Sequence, residues 1–198
     1  MMSSPLLPEW LRIALAAVLC GVAVLHIGHV LAMRGQRRWW HASHTVMALG
    51  MVAMYLLPRM GNEGLYQAGL ALFALVTVAL VAGAVLIRRG EGVLNPLWLA
   101  AAVDMLAMTY MLLPMSSRFA PVTYLFVGYL GAQAVAWTAG LWSRVPVLRP
   151  VPVGTADAPG AATAGGQGAV ALTAESAPTV PPSLAVMAAT MAYMLAAM

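Results

Sequence analysis

Charge is what this chain has least of. Acidic and basic residues together fill 8% of its 198 positions, where a soluble domain carries about a quarter. Lysine is absent, and the ten basic residues are all arginine. So little charge excludes a water-facing surface of ordinary composition. The arginines lie between apolar runs, which leaves no basic stripe for nucleic acid. Cysteine is reduced to Cys20, which rules out an internal disulfide and any CxxC motif. Cys20 follows Leu19 in "AVLCG", where a lipid-modified cysteine wants a small residue, and it reads as a buried small hydrophobe. No basic stretch precedes the first apolar run, and Glu9 stands near Arg12. The first segment is therefore expected to be a retained helix, not a cleaved signal. No serine–histidine–acid grouping and no phosphate loop is present, so nothing marks an enzyme.

What is abundant is apolar length. The chain is 62% hydrophobic, and a helix needs about 20 apolar residues to cross a bilayer. Runs at 9–33, 40–58, 65–87, 94–115 and 121–142 qualify, and a shorter one covers 182–198. The expected fold is all-α, a polytopic transmembrane bundle of about six spans. Residues 1–145 form five helices, and 183–198 form a Met-rich last helix that packs on them. Residues 146–182, with "TADAPGAATAGGQG" at their centre, are too poor in apolar side chains to offset chain entropy and are expected to be a disordered linker. Pro58 and Pro114 read as helix stops, and Gln133 as an interhelical hydrogen bond.

Six spans divide the arginines unevenly. Arg34, Arg37, Arg38, Arg88, Arg89, Arg144 and Arg149 fall on one side, and Arg12, Arg59 and Arg118 on the other. The positive-inside bias then puts both termini outside and the linker in the cytoplasm. Trp39 and Trp40 are expected at the headgroup level of the inner boundary. The lipid bilayer is the one partner this reading requires.

The chain has 15 methionines, and they are patterned. Met47, Met51 and Met54 are spaced i, i+4, i+7, which is one helical face. Asp104, Met108 and Met111 repeat the spacing, as do Met187, Met191 and Met194, with Met198 beyond. The three helices that carry these stripes would run in the same direction, so the stripes can meet. His26 and His29 form one HxxH and His41 and His44 another, on helices joined by a short turn. Thioethers and imidazoles are soft to borderline donors and suit Cu(I). A thioether is also neutral, so a column of them avoids the cost of burying charge in lipid. The stripes and the four histidines are therefore candidate metal ligands. Asp104 is a further ligand, a proton acceptor, or the partner of a histidine or Tyr110.

Two other readings compete. Methionine fills gaps between helices, so the stripes can be packing, and the histidines can bond carbonyls or sit at headgroup level, His41 especially. Alternatively, His26 and His44 can hold haem b between facing helices, with Gly21, Gly28 and Gly50 making room for the macrocycle. The chain would then be an electron carrier.

"HTVMALGMVAM", "DMLAMTYML" and the terminal "MAATMAYMLAAM" resemble a family of small multi-pass membrane proteins from actinobacteria whose function is uncharacterised. The resemblance spans all but the linker. It implies a plasma-membrane protein with six helices and brings no activity or cofactor. Met47/Met51 and Met187/Met191 are also similar, as a short motif only, to the methionine pairs of eukaryotic copper transporters.

Overall fold

The computed structural model describes residues 8–57, 61–91, 94–145, 148 and 178–197. Six α-helices account for most of them: α1 (Glu9–Ala32), α2 (Gln36–Leu56), α3 (Glu63–Glu91), α4 (Pro96–Leu112), α5 (Ala120–Thr138) and α6 (Val180–Ala196). No strand occurs among the described residues. The expected linker lies almost wholly outside them, as do Pro58, Arg59, Arg149 and Met198. The last helix starts earlier than the sequence suggests, because Pro181 and Pro182 fall in its first turn, where a proline ring fits and no N–H is missed.

Local chemistry sets the ends. Asn95 caps α4 by accepting from the Leu97 N–H at 3.0 Å, and Pro96 follows at the first helical position. Glu63 opens α3, and Arg88 and Arg89 close it, each matched to its end of the helix dipole. Gly35 (φ 64°) makes the turn between α1 and α2, and Gly140 (φ 62°) ends α5. These left-handed conformations favour glycine.

The helices pack as three hairpins, α1 with α2, α3 with α4, and α5 with α6, and α4 touches both α2 and α6 at the centre. Side-chain bonds fix the directions. Trp40 Nε1 at the start of α2 donates to Leu97 O at the start of α4. Ser183 at the start of α6 meets His26 in the last third of α1. The beginnings of α2, α4 and α6 therefore share one end of the bundle, as their co-directional stripes require. At the opposite end Arg12 donates through Nε and Nη2 to Tyr55 O (3.0 and 2.6 Å). Small core residues, among them Ala16, Ala48, Ala101, Ala107 and Ala188, let the backbones approach closely.

The outside of this bundle is apolar. Ile13, Val24 and Leu31 on α1 and Leu75, Val78 and Leu86 on α3 are exposed. Glu9–Ala32 and Glu63–Arg89 are long and apolar enough to cross a membrane, and most of each lies on the surface. The other four expected spans do not meet that standard. At about 1.5 Å per residue, the 17-residue α4 and α6 fall short of a typical hydrocarbon core. The first turns of α2 carry Arg37, Arg38, His41 and His44, and α5 carries Thr123, Tyr124, Tyr129 and Gln133.

Candidate metal centre

The four histidines come together at one end of the bundle. His26 and His29 lie on the last turns of α1 and His41 and His44 on the first turns of α2, and the antiparallel hairpin faces the two HxxH pairs. The ring centroids of His29 and His41 are 4.7 Å apart and nearly parallel. Those of His26 and His41 are 5.1 Å apart, and those of His26 and His44 5.5 Å. His26, His41 and His44 are buried, and His29 is half-buried. His41 thus does not face the surface. Its ring turns inward to bond His26 Nδ1 through its own Nδ1, at 2.9 Å.

The hydrogen bonds fix the protons. A carbonyl only accepts, so His29 Nδ1 donates to Leu25 O and His44 Nδ1 donates to Trp40 O, each at 2.8 Å. Both are the carbonyl contacts that the simpler reading of these histidines called for. Ser183 Oγ donates to Val180 O at 2.7 Å, so it accepts from His26 Nε2 at 3.3 Å. His26 Nδ1 is then the acceptor and His41 Nδ1 the donor of their shared bond. For neutral imidazoles this leaves a lone pair on Nε2 of His29, His41 and His44, and no described hydrogen bond reaches any of those atoms. Metal-binding histidines are oriented in the same way, by an Nδ1–H held on a carbonyl.

The methionine stripes turn inward. Met47, Met51, Met108, Met111, Met187, Met191 and Met194 are all buried, at 4% exposure or less, in one contiguous core. His44 leads into Met47 and Met51 along α2, and Ser183 into Met187 and Met191 along α6. Met54 departs from the column. It is half-buried and lines a groove of about 360 Å³ beside Leu65, Gly69 and Phe73 of α3. Met105, which the i, i+4, i+7 rule passes over, is fully buried in the same core.

Asp104 faces elsewhere than the metal reading supposed. Its carboxyl lies near the Tyr129 hydroxyl of α5, which donates to Ala100 O at 3.4 Å, while its Oδ1 is buried without a hydrogen-bond partner. Tyr110, the other partner considered, bonds Phe119 O and Thr123 Oγ1 instead. Gln133 does not bridge helices by itself. Its Nε2 donates to Tyr129 Oη at 2.7 Å, and its Oε1 accepts from Trp142 Nε1 at 3.1 Å. Cys20 is exposed, not buried, because its side of α1 faces away from α2.

Two features bear on what the cluster can hold. Among the described residues, no three or more His, Cys, Asp or Glu side chains form a group that could hold a metal ion. The imidazoles pair with one another and with carbonyls, and any ion there has to draw on thioethers as well. The space proposed for a haem is also filled or misplaced. The His26 and His44 rings stack face to face, 14° apart, and a Cβ at Gly50 would overlap Phe73 Cζ. Gly21 and Gly28 lie on the exposed side of α1.

Trp40 was missed by the sequence reading. Trp39 is exposed but Trp40 is buried, with its ring centroid 4.2 Å from that of His44 and 5.0 Å from that of His41. The spacing 40, 44, 47, 51 puts it on the His44–Met51 face, and that phase was the available signal. No family model matches the chain, and no curated protein or solved structure matches it either.

Proposed function

We propose that this chain is a six-span membrane protein that binds Cu(I) in its interior and passes it along the methionine column. The observation that carries this reading is the pairing of neutral imidazoles, whose Nε2 lone pairs no described donor meets, with seven buried thioethers in one core. Lone pairs oriented in this way are available to a soft cation, which meets imidazole and thioether alike without a counter-charge. Two- or three-coordinate Cu(I) suits mixed imidazole and thioether donors, and it does not need a group of three His, Cys or acidic side chains, which the described residues lack. In this reading a pair among His29, His41 and His44 receives the ion, completed by thioethers, and His26 holds His41 in the right tautomer. Met47, Met51, Met108, Met111, Met187, Met191 and Met194 form the path. Asp104, beside Tyr129, is left out.

The membrane reading draws support from an inverted surface. Large apolar side chains cover α1 and α3, while His, Ser and Gln are inside. The short helices α4 and α6 would tilt little or thin the bilayer locally. Arg34, Arg37, Arg38 and Arg144 belong to the histidine end, and Arg12 and Arg118 to the other. That bias favours a cytoplasmic histidine end.

Metal analysis with an optical spectrum on protein from its native membrane is the first test. The reading expects copper without a Soret band; a Soret band would instead indicate haem on His26 and His44. The second test changes Met51, Met108 and Met191 together to Leu, which roughly conserves volume. The folded triple variant is expected to lose most of its Cu(I). Full Cu(I) stoichiometry in that variant would mean that the thioethers only pack.

A further inference from the structure

We infer that Trp40 sets which metal the histidine cluster accepts, an inference that rests on the Cu(I) reading above. The indole is held on several sides. Its Nε1 donates to Leu97 O of α4 at 3.4 Å, and Trp137 of α5 stands behind it with ring centroids 6.5 Å apart. Its own carbonyl accepts from His44 Nδ1 and from Ser43 Oγ, both at 2.8 Å. Trp40 therefore both orients His44 and walls one side of the His41–His44 pair, edge-on to His41 at 80° and tilted 45° to His44.

That wall limits coordination number. The indole packs against both rings and takes up space around them that water ligands of a bound ion would need. Zn(II) needs four ligands in a tetrahedron, and Cu(II) prefers a tetragonal N/O set. Neither finds it, because among the described residues no three His, Cys or acidic side chains form a group that could hold a metal ion. A monovalent soft ion needs two or three donors. It also carries half the charge into an apolar interior, and an indole face attracts it. The selected class is thus Cu(I) and its air-stable analogue Ag(I), against Zn(II) and Cu(II).

The test uses the full chain in detergent, with Ag(I) and Zn(II) as probes and metal per protein as the readout. Wild type is expected to take up Ag(I), to exclude Zn(II), and to change its indole emission as Ag(I) binds. Trp40→Ala is expected to lower the Ag(I)-over-Zn(II) preference about tenfold, as removal of a cation–aromatic contact and its wall would. Trp40→Phe keeps a ring and is expected to retain most of the preference while losing much of the emission change. It also serves if the alanine variant does not fold. An unchanged preference in Trp40→Ala, or Ag(I) binding to wild type with no indole response, overturns the inference and leaves the metal reading standing. If wild type binds neither Ag(I) nor Cu(I), both fall.

Discussion

Replacing Gly50 by alanine tests the packing that places Met108 in the interior. Gly50 is on α2, and the Phe73 ring of α3 fills the space a side chain would take. A Cβ there would overlap Phe73 Cζ, lie 3.0 Å from its Cε2 and stand 3.3 Å from Met108 Cε. Carbon atoms in good contact are about 3.5–4.0 Å apart, so the ring has to shift. It is buried and has little room. Overpacking of this kind costs about 1–3 kcal/mol, and replacing glycine by alanine inside a helix returns about 0.8–1 kcal/mol. Gly50→Ala should therefore destabilise by roughly 0–2 kcal/mol, the difference of those terms. The more diagnostic quantity is coupling. In a Phe73→Ala background the added methyl meets no ring, only the propensity gain remains, and the double variant should exceed the additive value by about 1–3 kcal/mol. Thermal unfolding of the four proteins in one detergent measures this. Additivity to within about 0.5 kcal/mol would refute the close approach of α2, α3 and Met108, because only neighbours couple.

Two further predictions concern the edges of the proposed site. Asp104→Asn removes a buried carboxyl with an unpartnered oxygen; its melting temperature should stay level or rise, with bound copper unchanged. Loss of copper in that variant, measured by elemental analysis, would return Asp104 to the metal set. Cys20, exposed on an apolar helix, should resist a charged thiol reagent in intact vesicles and react once the protein is dissolved in denaturing detergent. Rapid labelling in intact vesicles would mean that α1 does not lie across the bilayer there.

Much of the architecture was legible because it depends on quantities a sequence carries directly. Scarce charge and long apolar runs give an all-helical chain with an apolar exterior. The short turn between α1 and α2 brings the two HxxH pairs together, and helical periodicity puts Met47 and Met51, Met187 and Met191 on single faces. Rotational phase was harder to read. Helix α4 is apolar nearly all round, so its pattern does not say which side faces inward. Asp104 drew attention to the 104–108–111 line, whereas the buried face centres on Trp98, Ala101, Met105 and Met108. Tyr129, distant in sequence, is the polar neighbour of the Asp104 carboxyl, and a one-dimensional spacing carries no trace of it. Cys20 was misplaced for a related reason, since in an apolar helix a buried position and a lipid-facing one have the same composition.

Packing alone is a weak account of this interior. Methionine adapts to irregular gaps, and a core of leucine and alanine would serve α2, α4 and α6 at least as well. Packing gives no reason to bury His26, His41 and His44 together, since each imidazole brings polar nitrogens into an apolar core and two Nδ1 atoms are occupied in holding rings to their own helix backbone. Those bonds fix orientation and leave Nε2 of His29 and His44 as acceptors. The thioethers begin one helical turn beyond His44, on the same face, and a corresponding line begins one turn beyond Ser183 on α6. A proton could satisfy one imidazole but not the neighbouring sulfurs. Under the proposed Cu(I) reading, a soft monovalent ion meets both donor types with one charge, and metal analysis of the triple Met→Leu variant decides whether the histidine cluster and the methionine column act as a single site.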